Sequence, residues 1–226
     1  MAERSKERKS FAEDMNFYKL FWIFFIGCFA GFVGETIWCL ATLYHFESRA
    51  GVIYGPFNPV YGFGALIVII CMYKLRYMHD LWIFLCSMII GSVFEYMCSL
   101  FQELTFSTIS WEYSNTQLNL HGRTNIMFAF MWGVLGIIWV KDVFPCLSRL
   151  IEKIPNRIGV VLTWILLIFM LLNMGISALA VKRQTDRKNN MNNIDVVSQF
   201  LDKYFTDDFL AKIYPNMTTI PKKDGE

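Results

Sequence analysis

Residues 81–123 read LWIFLCSMIIGSVFEYMCSLFQELTFSTISWEYSNTQLNLHGR. Up to Leu104 this is an apolar run interrupted mid-way by Glu95, and it exceeds the roughly 20 helical residues that cross a bilayer. A polar loop follows, Trp111-Glu112-Tyr113-Ser114-Asn115, closing on Asn119-Leu120-His121-Gly122-Arg123. Hydrocarbon offers no partner to polar groups. The carboxylate and its loop therefore either rest outside the lipid or make up a site.

The rest of the chain supports the membrane reading. Of 226 residues, 55% are hydrophobic and only 18% charged, which disfavours a soluble domain. Aromatic residues reach 17%, and Trp and Tyr gather at bilayer interfaces as well as in cores. A net charge of +2 selects no partner, and nothing points to nucleic acid. The six cysteines, Cys28, Cys39, Cys71, Cys86, Cys98 and Cys146, lie in apolar segments without metal-ligand spacing. They read as buried small hydrophobes.

The expected fold is an all-α integral membrane protein with five transmembrane helices, at about residues 17–44, 59–78, 81–104, 124–143 and 158–181. Residues 1–16 form a charged N-terminal tail. Residues 182–226 form a polar C-terminal tail carrying an amphipathic helix at about 194–213. The second and fourth spans are short before Lys74 and Lys141, and snorkelling basic residues would stretch them. Pro56 and Pro59 shape the loop before the second span, and Pro59 opens its helix.

Basic residues set the orientation. Arg4, Lys6, Arg8, Lys9 and Lys19 precede or open the first span, and Lys141, Arg149, Lys153 and Arg157 separate the fourth from the fifth. Both regions are expected in the cytoplasm, with the polar loops outside. The cationic start of the C-terminal tail, Lys182, Arg183, Arg187 and Lys188, opposes that arrangement. Charges at the start of the chain are weighed more heavily.

Two segments align at a constant offset: Gly31-Phe32-Val33-Gly34-Glu35 with Gly91-Ser92-Val93-Phe94-Glu95. The chain therefore reads as a two-fold repeat of helix, polar loop and short helix, followed by a fifth span. At ~100° per residue, Gly31, Glu35, Trp38 and Thr42 share one stripe, and Gly91, Glu95, Ser99 and Gln102 share its counterpart. Gly31 and Gly91, one turn from each carboxylate, permit close helix approach. If the stripes face each other, Glu35 and Glu95 share one interior cavity.

An ionised carboxylate at mid-helix costs about 2.5–3.5 kcal/mol on insertion scales, so such groups mark pathways or need partners. Glu35 and Glu95 suit a proton or cation relay, or a site for a cationic or hydroxylated ligand; the structural alternative is interhelical glue. Arg123, beside Asn119 and His121, could pair with Glu95 or Glu103 or bind an anionic group. Glu103, Glu112, Trp111 and Tyr113 belong either to the outer interface or to pocket walls. No Gly-x-Ser-x-Gly, His-Glu-x-x-His or Walker A pattern occurs, and three histidines select no metal site. No metal or cofactor is expected.

Glu95, Trp111-Glu112-Tyr113-Ser114, Asn119-Leu120-His121-Gly122-Arg123 and the stretch from Tyr54-Gly55-Pro56 to Tyr61-Gly62 resemble the CmpB-like, type IV ABC-transporter permease family of bacterial membrane proteins, over roughly residues 19–155. The resemblance implies a permease subunit. Because the chain has no phosphate-binding loop, it also implies a separate ATPase subunit, docking near residues 141–157, where Leu147, Leu150 and Ile151 stand among charges.

The expectation is thus a multi-pass plasma-membrane permease component with a cytoplasmic N-terminus and an outward-opening cavity lined by Glu35, Glu95, Tyr54, Tyr113, Asn119 and Arg123. Glu103, Trp111, His121, Gly31, Gly91, Pro56 and Pro59 would support it. Two alternatives stand beside it. One is an intramembrane enzyme acting on a lipid or envelope precursor, with a carboxylate as general base and Arg123 holding a phosphate. The other is a non-transporting membrane scaffold or partner.

Overall fold

The computed structural model describes residues 10–191 and 195–220. The cationic residues Arg4, Lys6, Arg8 and Lys9, on which part of the orientation argument rests, lie outside them. The described residues form eight α-helices: α1 (Phe17–Leu43), α2 (Pro59–Met72), α3 (Asp80–Phe106), α4 (Ile126–Ile138), α5 (Phe144–Glu152), α6 (Asn156–Lys188), α7 (Val196–Tyr204) and α8 (Asp207–Ile213). Four two-residue strands, β1 (Thr108–Ile109), β2 (Asn119–Leu120), β3 (Thr124–Asn125) and β4 (Thr218–Thr219), form the pairs β1–β4 and β2–β3.

Among the described residues, four segments are long and apolar enough to cross a membrane: Phe17–Thr42, Asp80–Phe106, Ile126–Glu152 and Asn156–Lys188. The segment Pro59–Leu75 is apolar but shorter. Large apolar side chains cover the outside of these helices, among them Phe29, Ile37, Ile89, Phe130, Ile165 and Leu172. A surface of that extent suits lipid and not water.

The short α2 begins deep in the bundle. The Asn58 backbone N–H donates to the carbonyl of Cys28, near the middle of α1, at 2.9 Å. Asn58 also caps α2, accepting from the Val60 N–H at 3.2 Å, with Pro59 in the first turn, where its missing N–H costs nothing. Val52 and Ile53 of the loop before it are buried, and its backbone is bonded to the middle of α6. Asn173 accepts from the Tyr54 N–H at 3.0 Å and donates to the Tyr54 carbonyl at 2.7 Å, while Ser177 accepts from the Ile53 N–H at 2.9 Å. These two polar side chains, interruptions in an apolar span, thus satisfy non-helical backbone at depth.

α4 begins in the same way. Asn125 caps it by accepting from the Phe128 N–H at 2.9 Å, and Thr124, just before it, bonds Glu95 at mid-α3. α4 continues into a five-residue π turn, Trp139–Val143, and then into α5, whose first turn holds Pro145. The looser turn and the proline together re-aim the chain. Each short helix packs antiparallel on the long one before it, through glycine. A Cβ on Gly62 would strike Phe24 and Cys28, and one on Gly136 would strike Ser87.

One end of the bundle is tied together by Lys19 with Glu152 and by Lys141 with Asp80. There the core is apolar, with Ile69, Met72, Ile83 and Val140 fully buried. Residues of the expected N-terminal tail join it: Phe11 is buried against Gly159, and its N–H donates to Asn156 at 2.7 Å.

The C-terminal segment sits at the other end. α6 runs past Lys182 because Arg183 and Arg187 hold Asp202, and Arg187 also holds Asp207. The helix anticipated at 194–213 is two helices instead. Phe205 turns into the core beside Leu201 and Leu210, and Thr206 caps α8 by accepting from the Phe209 N–H at 3.3 Å. β4 then pairs with β1, and the Ile220 N–H donates to the Ser107 carbonyl at 2.8 Å.

Candidate functional site

Glu95, on α3, is 9% exposed and receives three neutral donors. The Thr124 hydroxyl donates at 2.8 Å, the Tyr113 hydroxyl at 3.2 Å, and the Trp132 indole N–H completes the set. Their positions follow from the local fold. Trp132 lies across Gly91, where a Cβ would overlap the indole, so the glycine one turn before the carboxylate admits the ring that serves it. Tyr113 is stacked on Phe128 of α4, with ring centroids 4.7 Å apart.

Glu35 has a parallel environment. Gly31, one turn earlier, is covered by Tyr61 of α2, and the Tyr61 hydroxyl bonds Glu35. Arg49 approaches Glu35 at 3.8 Å but pairs closely with Glu47 at 2.6 Å and donates to the Cys39 sulfur at 3.1 Å. The two halves meet through the tyrosines: Tyr113 is close enough to interact electrostatically with both Glu35 and Tyr61. Burial first, and then the neighbouring Glu95, hold the Tyr113 hydroxyl protonated well beyond the ordinary phenol range. It stays a donor.

Arg123 pairs with Glu103 and not with Glu95, and its guanidinium lies 5.4 Å from the Tyr96 ring centroid. The β2–β3 hairpin places it. His121 and Gly122 are left-handed, with φ of 52° and 69°, and with Arg123 they make the three-residue loop between Leu120 and Thr124, closed by the Arg123 N–H on the Leu120 carbonyl at 3.0 Å. Asn119 staples this loop, donating to the Ser114 and Thr116 carbonyls and accepting from the Gly122 N–H at 3.0 Å. His121 meets the Tyr96 hydroxyl at 2.9 Å, and the Trp111 indole donates to the Arg123 carbonyl at 3.1 Å. Bonds from Ser114 keep exposed Glu112 below the usual carboxylate range.

Ser99, Glu103, Ile109, Trp111, Glu112, His121, Gly122, Arg123 and Ile220 line a cleft of ≈ 240 Å³. Ser99 follows Glu95 by one turn of α3, so the cleft floor lies just above the carboxylate. Its wall includes Ile220, beside β4.

Of the residues anticipated from sequence, Glu95 and Tyr113 are in direct contact, and Glu35 lies within electrostatic range of Tyr113. Trp111, His121, Glu103 and Arg123 line the cleft. Tyr54 is held by its backbone, its side chain half exposed, and Asn119, Pro56 and Pro59 shape loops. Four contacting residues were not among the site residues anticipated from sequence: Tyr61, Thr124, Trp132 and Arg49. Only the placement of Tyr61 and Trp132 in short helices after each loop offered a signal. Among the described residues, no group of three His, Cys, Asp or Glu side chains is placed to hold a metal ion.

The family model described as "Putative ABC-transporter type IV" (CmpB) matches residues 22–178, well over half of the chain. The chain belongs to this family. The match takes in both carboxylates, both polar loops and the cleft, apart from Ile220. α7, α8 and β4 lie beyond it. No curated protein and no solved structure matches the chain. Family membership together with the apolar helices makes this a membrane protein with a transporter-like role.

Proposed function

We propose that the chain is the membrane-embedded permease component of a transporter and moves its substrate past Glu35 and Glu95. The observation that carries this reading is Tyr113. It bonds Glu95 and lies close to Glu35, so two intramembrane carboxylates of distant sequence position share one environment. Carboxylates placed so deep mark pathways more often than they serve as glue.

The same reading takes the chain across the plasma membrane five times, with its N-terminus in the cytoplasm. Lys19, Lys141, Arg149, Lys153 and Arg157 gather at one end, as a cytoplasmic face requires. The matching environments, Gly31 with Tyr61 and Glu35, and Gly91 with Trp132 and Glu95, favour two copies of one unit. ATP hydrolysis would belong to a partner subunit. α5 is a suitable contact for it, since Phe144 and Ile151 anchor the helix inward while Arg149 and Leu150 face out. The enzyme alternative is weakened because Arg123, its phosphate holder, is committed to Glu103.

The test uses membrane vesicles from cells producing the full chain with whatever ATPase co-purifies, challenged with a labelled extract of small solutes. At least one solute should move with the native chain and stop moving with Glu95→Gln or Glu35→Gln, both still inserted. Equal movement by native and variant vesicles overturns the reading.

A further inference from the structure

Charge and shape around the path select a class of substrate. Arg49 is taken by Glu47 at 2.6 Å, and Arg123 by Glu103. Glu95 keeps only the neutral donors Tyr113, Thr124 and Trp132, Glu35 has Arg49 no nearer than 3.8 Å, and Glu112 is exposed beside the cleft. The path from the cleft inward thus carries more carboxylates than arginines, each arginine holding one carboxylate closely through its terminal nitrogen while its Nε has no partner. An anion would meet an excess of carboxylates, with Glu95 bonded by neutral groups alone, in a poorly screened setting.

A metal ion fits no better. The groups around Glu95 include an indole N–H, which cannot ligate, and among the described residues no third His, Cys, Asp or Glu side chain joins the two carboxylates. Aromatic rings are abundant instead. Tyr61 and Tyr113 stand at the carboxylates, and Trp111 forms part of the cleft beside Ile109 and Ile220. Carboxylates among aromatic rings are the recognised surroundings of ammonium groups. At ≈ 240 Å³ the cleft is smaller than the roughly 300–1,000 Å³ of drug-sized pockets, so the ligand is small.

We infer that the cleft at Trp111 and Glu112 and the Glu95–Glu35 pair beneath it form a two-stage path for a small organic cation, a protonated or quaternary amine bearing an apolar group. The ammonium first meets Glu112 while its apolar part lies on Trp111, Ile109 and Ile220. It then passes Ser99, one turn inward, to Glu95. This deepens the permease reading and rests on it for the direction of travel.

The full chain in lipid nanodiscs is titrated calorimetrically with benzyltrimethylammonium chloride and, separately, with sodium benzenesulfonate, an anion of similar shape. The cation should bind saturably, and at least tenfold more weakly in Glu95→Gln and in Glu112→Gln; the sulfonate should not bind. Glu112→Gln retains the loop bonds and covers the case in which Glu95→Gln fails to fold. Binding of the sulfonate, absence of cation binding, or an affinity unchanged in both variants overturns the inference. Cation binding without solute movement in vesicles retires the permease reading alone, whereas movement of an anionic solute that Glu95→Gln abolishes retires the cation alone.

Discussion

The Tyr113 hydroxyl donates to Glu95 at 3.2 Å, from a loop residue to a carboxylate near the middle of α3. Its ring is fixed on Phe128, so the hydroxyl is aimed before any ligand arrives. Tyr113→Phe keeps the stacking and removes one of three donors to a buried group. A loss of about 1–2 kcal/mol is expected, read as a lower unfolding temperature in detergent. Thr124→Val, which removes a second donor, should act in the same direction.

Asn173 makes both backbone bonds of Tyr54 and is 2% exposed. Asn173→Leu fills the space and leaves the part-buried N–H and C=O of Tyr54 without their partner. Each orphaned group costs about 1–3 kcal/mol. Hydrogen exchange at residues 51–58 should accelerate by at least tenfold in this variant, while exchange in α3 stays slow. Unchanged protection of the loop would show that other bonds hold it.

The glycines divide into two kinds. A Cβ at Gly31 would overlap Tyr61 and one at Gly91 would overlap Trp132, whereas nothing lies within 4 Å of a Cβ at Gly34 or Gly175. Gly31→Val and Gly91→Val should each destabilise by about 1–3 kcal/mol through overpacking. Gly34→Ala and Gly175→Ala should be close to neutral. Thermal unfolding of the four variants in one detergent checks the contrast.

Asp202 is held by Arg183 first, and its pKa falls from 3.8 to about 2. A carboxylate depressed on folding stabilises the docked tail above its unfolded pKa, and that contribution disappears as pH falls through the folded value. Tail docking should therefore be insensitive to pH above about 4 and weaken between about 4 and 2. The side chain is 37% exposed, so solvent screening keeps the effect modest. Asp202→Asn should loosen the tail at neutral pH, seen as faster proteolysis after Lys203 with the rest of the chain intact.

The long helices were legible because apolar runs of that length have few other fates, and Glu35 and Glu95 stood out for the same reason. The constant offset of 60 residues exposed the glycines and glutamates of α1 and α3. It could not expose Tyr61 and Trp132, which are 71 residues apart because α3 runs further, the second loop is longer and Trp132 lies about a turn deeper in its helix. Arg123 had two carboxylates within plausible reach, and only the hairpin turn at His121-Gly122 decides for Glu103. Asn173 and Ser177 read as blemishes in a span. Their partners, Tyr54 and Ile53, are more than a hundred residues earlier, a pairing no local pattern announces.

The half-depth starts of α2 and α4 bear on how the protein would sense voltage. In the proposed orientation, if the polar loops and cleft admit water as far as Cys28 and Glu95, the electrical thickness of the membrane shrinks to the half that holds Ile69, Met72, Ile83 and Val140. A cation leaving Glu95 inward would cross nearly the whole potential, about 2.3 kcal/mol per 100 mV, over a few turns of helix. The step through that half, and not capture from outside, would then be the voltage-dependent one.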